Sequence, residues 1–180
     1  MSEIRIFSTG IIRVGDIATA SAAAGYGAGP VLSSLTDQVY DVQDVEVPVS
    51  YQEKEMRAAP QVSNFARSRS FYGAKQEVNF TVGDYSKLLL KYFAGMTASN
   101  GGLTYTLGAT SKPLFCHLEL DVQDEAGNPV SYVFYRFSAP GLTQSFKLDA
   151  YVEPGVKGQA DPSQVAATLN RVTDIFLPAA

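Results

Sequence analysis

The run LFCHLELDVQDEAGNPVSYVFYRF, residues 114–137, constrains this chain more than any other part of it. Its first half alternates. Leu114, Cys116, Leu118, Leu120 and Val122 share one face of a strand, and Phe115, His117, Glu119 and Asp121 share the other, because successive side chains of an extended chain point to opposite sides. DEAGNP reads as a turn, so the second half returns as a hairpin partner. That partner is apolar or aromatic on both faces, with Val130, Tyr132 and Phe134 on one and Val133, Tyr135 and Phe137 on the other. A strand with one wet face has no use for this pattern. One side must be covered by sheet or helix, the other by a second sheet or a neighbouring molecule.

The rest of the chain supplies partners for that hairpin. EIRIFS reads as a first short strand. In VYDVQDVEVPVSY, Val45, Val47, Val49 and Tyr51 share a face, while Tyr40 and Val42 have the opposite parity. The phase switch near Gln43–Asp44 predicts a β-bulge, and Pro48, which lacks an N–H, predicts an edge. KQEVNFTV directs Val78, Phe80 and Val82 inward. A helix is expected over 84–94, with Asp84 as N-cap, a stripe of Tyr85, Leu88, Leu89, Tyr92 and Phe93, and Gly95 as its stop. LTYTL, LTQSFKLDAYVE and ATLNRVTDIFL read as further strands, and PGVKGQADPSQ as a loop. ATASAAAGYGAGPVLSS, residues 18–34, reads as an irregular surface loop. The sum is a single domain, 1–180: an antiparallel β-sandwich or barrel of seven or eight strands with one short flanking helix.

Catalytic chemistry finds little purchase. The only His, His117, adjoins the only Cys, Cys116, and neighbours on a strand face opposite ways, so they cannot form a nucleophile–base pair. His117, Glu119 and Asp121 share a face but lie in a flat row that does not converge on one metal ion. A solvated acidic face is the expected reading. GYGAG lacks the flanking strand and helix of a dinucleotide fingerprint. Arg67–Ser70, RSRS, is a weak phosphate signal in a chain of net charge −4. No enzyme, cofactor or metal is expected. The lone Cys excludes an internal disulfide and suits a reducing compartment during synthesis. No secretory signal and no bilayer-spanning run is seen.

One segment stands apart. EKEMRAAPQVSNFARSRSFYG, residues 53–73, reads as a long loop. Structureless connections of that length in compact domains generally have a job. Lys54, Arg57, Arg67 and Arg69 oppose Glu53 and Glu55, a net +2 within a chain of −4, so the remainder carries −6. A positive arm on an acidic body can dock on an identical copy head to tail, and such contacts generate rings or filaments. Charged residues are only 18% of the chain, below the ~25% of an average soluble domain, which also leans towards oligomers.

The order of these elements resembles the major tail tube proteins of long-tailed bacteriophages: a short first strand, the valine strand at Val45–Tyr51, a long loop, then EVNFTVGDYSKLLLKYFAGM, a strand running into an amphipathic helix, then the hairpin LELDVQDEAGNPVSYVFYRF and closing strands SFKLDAYVE and RVTDIFL. The resemblance spans most of the chain. It implies a β-sandwich or barrel shared with the tubes of contractile injection systems, stacked hexameric rings, and a hollow tail tube through which DNA passes without specific binding. It implies partners in other tail proteins (tape measure, tail terminator, baseplate or tip), a place in the virion tail, and synthesis in the bacterial host cytoplasm. Residues 53–73 would be an arm reaching the adjacent ring, with Arg57, Phe65, Arg67, Arg69, Phe71 and Tyr72 as contacts. Glu119 and Asp121 would line the lumen, since a wall without Lys or Arg does not hold phosphate. The alternative is a capsid-decorating or adhesive β-sandwich, which predicts a monomer or small closed oligomer.

Overall fold

The computed structural model describes residues 6–32, 38–57, 66–82, 87, 89–112, 114–124, 126–143 and 153–177. The architecture is mainly antiparallel β, as the alternation predicts. Ten strands are described: β1 (Ile6–Gly15), β2 (Gln38–Glu46), β3 (Val49–Arg57), β4 (Ala66–Val82), β5 (Thr97–Ser99), β6 (Thr104–Thr106), β7 (Cys116–Asp124), β8 (Pro129–Thr143), β9 (Gly155–Ala160) and β10 (Thr173–Phe176). A five-residue helix, α1, covers Ile17–Ser21. None of the described helices is long and apolar enough to cross a membrane.

The long sheet runs β10-β8-β7-β1-β2-β4-β3, and β9 pairs with both β4 and β8. Strand pairing therefore returns on itself through β1, β2, β4, β9, β8 and β7. The residues inside this cycle form the core: Ile12, Val14, Val42, Val78, Phe80, Val82, Leu118, Leu120, Val130, Phe134 and Phe137, with others between them. Phe93 packs in this core, its ring 5.8 Å from both Phe80 and Phe137 in edge-to-face contacts, each worth ~0.5–1.5 kcal/mol beyond area burial.

The expected hairpin is present, with Val122 opposite Val130 and Leu118 opposite Phe134. The bulge expected near Gln43–Asp44 appears as a register shift between Gln43 and Glu46 against β4. Of the expected helix, Leu89–Phe93 is a helical turn that buries Leu89, Leu90, Tyr92 and Phe93. It is wider than an α-helix: the Ala94 N–H donates to the Leu89 carbonyl at 3.2 Å, five residues back. Gly95 ends it at φ +62°, a left-handed conformation that favours glycine. Tyr85 and Leu88 lie outside the described residues, as does most of SFKLDAYVE.

Three expectations change. Residues 53–73 are not one long loop: β3 continues to Arg57 and β4 begins at Ala66, and 58–65 lie outside the described residues. PGVKGQADPSQ is not all loop, because Gly155–Ala160 forms β9. Val156, Gly158 and Ala160 are buried, and Gly158 lies under Phe137, where a Cβ would stand 2.0 Å from the ring. Leu114 is exposed rather than inward, and β7 starts only at Cys116.

Candidate functional site

The cationic segment becomes a ribbon. Among the described residues β3 pairs only with β4, and the half of β4 from Ala66 to Lys75 pairs only with β3. The register sets Arg57 opposite Ala66, Arg69 opposite Glu55, Phe71 opposite Glu53 and Tyr72 opposite Gln52. Five of the six expected arm residues, Arg57, Arg67, Arg69, Phe71 and Tyr72, thus lie on one hairpin, and Phe65 lies outside the described residues. Two-stranded ribbons are at best marginally stable alone in water. This one leaves the core from the point where Val49 pairs with Gln76.

The acidic row lies elsewhere and behaves differently from the expectation. Glu119 and His117 are fully buried, so the reading of these two as part of a solvated face, and of Glu119 as a channel lining, is corrected. Glu119 presents no surface to a lumen, and the Asp121 side chain is only 16% exposed. The cover is the small-residue segment 16–32. Val31 N–H donates to Glu119 Oε1 at 2.6 Å, and Leu32 N–H reaches Oε1 at 3.1 Å and Oε2 at 3.0 Å. His117 Nε2 stands 3.1 Å from Oε1. A carboxylate only accepts, so Nε2 carries the proton. Nδ1 has no hydrogen-bond partner among the described residues. Asp121 accepts from Arg13 and, at 2.6 Å, from Ser131 Oγ.

Above this row Tyr26 packs between His117 and Tyr135, with ring centroids 5.6 and 5.5 Å away. Tyr135 donates to Asp174. Burial first, and the Asp174 bond second, push its phenol up to about 12. Arg171 bridges Asp174 and the Gly27 carbonyl, 2.9 Å from each. The second face of β8, which the sequence required to be covered, is therefore covered within the chain. Cys116 faces the core instead, and burial, with a smaller contribution from Asp16, raises its thiol so that it stays neutral.

This arrangement is a structural polar layer. Every carboxylate oxygen named here is engaged by a donor, and among the described residues no group of three or more His, Cys, Asp or Glu could hold a metal ion. An apolar hollow of about 450 Å³ beside the helical turn, lined by Phe93, Met96, Leu107, Pro140 and Leu142 among others, has no titratable side chain among the described residues that line it. Side-chain alternation alone could not reveal the polar layer, since its key donors are backbone N–H groups. The one available signal was the doubly apolar strand, which demanded a second cover.

No protein-family model matches the sequence, and no curated protein matches it. The fold does have solved counterparts. A chain in the cryo-EM structure of the anti-feeding prophage (AFP) baseplate, six-fold symmetrised, superposes with a TM-score of 0.57 at 7% identity, over 98% of this chain and 97% of that one. A chain in the sheath–tube complex of an extracellular contractile injection system, PVC, in the extended state, superposes with a TM-score of 0.54 at 12% identity, over 94% of this chain and 88% of that one. Near-complete coverage on both sides means that the whole domain is shared. At these identities, what is shared is the fold.

Proposed function

We propose that this chain is a structural subunit of a phage-type tail or injection-system particle, and that it self-assembles into stacked, six-membered rings forming a hollow tube. The observation that carries this reading is the β3–β4 ribbon. It extends beyond the strands that pair around the core, and it pairs with nothing but itself among the described residues. Such an element gains most of its order from a neighbour. The neighbours in fold come from structures titled as a baseplate and as a sheath–tube complex, which fits a building block of a large symmetric assembly. Passage of DNA through the tube, and contacts with other tail components, follow from the tube reading and stand or fall with it.

Purified protein, concentrated stepwise and imaged by negative stain, is expected to give rings and then tubes. Replacing Arg67 and Arg69 together by Glu reverses the ribbon's charge and should abolish stacking while leaving the circular dichroism spectrum unchanged. A monomer or small closed oligomer at every concentration would overturn the tube reading in favour of a decorating or adhesive β-sandwich.

A further inference from the structure

Residues 16–32 are not absorbed by the assembly reading, and their attachments are unevenly distributed. Ala20 and Leu32 are the only buried residues among them. The segment is otherwise rich in Ala and Gly, with Ile17, Tyr26 and Val31 only partly buried, so full apolar burial contributes little to holding it. Its ties are few. The Leu32 side chain sits on Gly15, where a Cβ would come within 2.9 Å of Leu32 Cδ2. Gly27, at φ +82°, fits against Thr168, and its carbonyl accepts from Arg171. Tyr26 lies against His117 and Tyr135. The strongest tie is Glu119, a fully buried carboxylate whose two oxygens take both the Val31 and the Leu32 N–H. Charge-assisted bonds of this kind are about twice as strong as neutral ones.

We propose that residues 16–32 form a strap that opens as a unit from the β7–β8 sheet, with the Glu119 carboxylate as its latch. Opening gives water to groups that are partnered in the closed state and also to His117 Nδ1, which has no partner there among the described residues. Closed, the carboxylate accepts from His117 Nε2–H and from the strap's Val31 and Leu32 N–H groups. Open, the carboxylate and the imidazole become hydrated, and the core inside the strand cycle stays shut because none of its pairings involves the strap. Opening uncovers a polar and aromatic face carrying Arg13, His117, Glu119 and Tyr135. This is a two-state element of the sort that local opening draws on, and it is independent of whether the protein forms tubes.

Native-state hydrogen exchange on the intact chain tests it. In the unmodified protein the amides of Ala20 to Leu32 should exchange through an opening that leaves the β7 and β8 amides protected. Glu119→Gln, which keeps the shape but loses the charge, should speed strap exchange about tenfold to a hundredfold, with β7 and β8 little changed. Arg171→Ala, which removes the tie to Gly27, should act on the same amides and less strongly. Strap amides that exchange only together with β7 and β8 in the unmodified protein would overturn the proposal, even if Glu119→Gln failed to fold. So would a larger effect from Arg171→Ala than from Glu119→Gln.

Discussion

The hairpins β7–β8 and β3–β4 are built from the same kind of antiparallel ladder, yet one lies at the centre of the molecule and the other leaves it. β7–β8 has β1 on one flank and β9 and β10 on the other, with the core on one face and the strap on the other. Its second strand buries Val130, Val133, Phe134, Tyr135 and Phe137. Beyond Val49 and Gln76, β3–β4 has neither flank occupied among the described strands. The sequences differ to match: VSYVFYRF in the first, YQEKEMR and ARSRSFYG in the second. The ladder within each hairpin is of the same kind, so what separates the two among the described residues is whether neighbouring strands flank them.

The sharpest way to break that comparison is at Phe134, which has no exposed surface. Phe134→Ala should destabilise the domain by ~3–5 kcal/mol, read as a shift in the urea midpoint. A shift near zero would mean that the hairpin is not the core. Tyr135, on the opposite face, tests the strap side. Tyr135→Phe removes a bond to a charged acceptor and should cost ~1.5–3 kcal/mol near neutral pH. Its pH dependence has a definite sign. The folded phenol is raised from 10.0 to about 12, so the neutral form is favoured by folding. That stability is fully present below pH 10 and is lost as pH rises towards 12. The variant should lose less stability across that alkaline window than the parent does. Gly158→Ala probes the tight closure by β9. The added methyl would meet Phe137 at 2.0 Å and the Ser138 carbonyl at 2.9 Å, so ~1–3 kcal/mol of overpacking is expected, checked by thermal melting.

The elements legible in the sequence are those whose apolar side chains report their surroundings. Val78, Phe80 and Val82, the β7 stripe from Cys116 to Val122, and Val130, Val133, Phe134 and Tyr135 of β8 are buried as their alternation requires, whereas Tyr132 is only partly buried and Phe137, expected beside Tyr135, joins Phe134 in the core after a register shift. Legibility fails where backbone or small residues carry the contact. β9, GVKGQA, looks like a loop because Gly158 is small to admit Phe137 and its partners supply the ladder. Glu119 looks solvated because its donors are the N–H groups of Val31 and Leu32, which any residue would offer. Residues 53–73 look like a loop because the sequence there shows no strict apolar period. The charge of Lys54, Arg57, Arg67 and Arg69 still sets this segment apart from an acidic chain.

The smallest expected effect on stability belongs to the arm, and it is also the most discriminating. Replacing residues 54–70 by Asn-Gly would join Glu53 to Phe71, which already face each other in register. Two-residue Asn-Gly loops suit the twist of such a junction. If the distal ribbon is an arm, the shortened domain gives up no core contact and removes a strand pair that was marginal by itself. Its unfolding midpoint should stay within the ~0.5 kcal/mol typical of changes away from the core, while sedimentation shows the loss of higher assemblies. The two readouts fail in different directions. A destabilisation as large as that of Phe134→Ala would mean that the ribbon folds back as a second cover, and the contrast between the hairpins would collapse. Unchanged stability with unchanged assemblies would keep the contrast and deny the ribbon its role as the contact. The surface joining neighbouring copies would then have to be sought elsewhere, beginning with β10, the strand at the opposite end of the sheet, where Ile175 is 53% exposed.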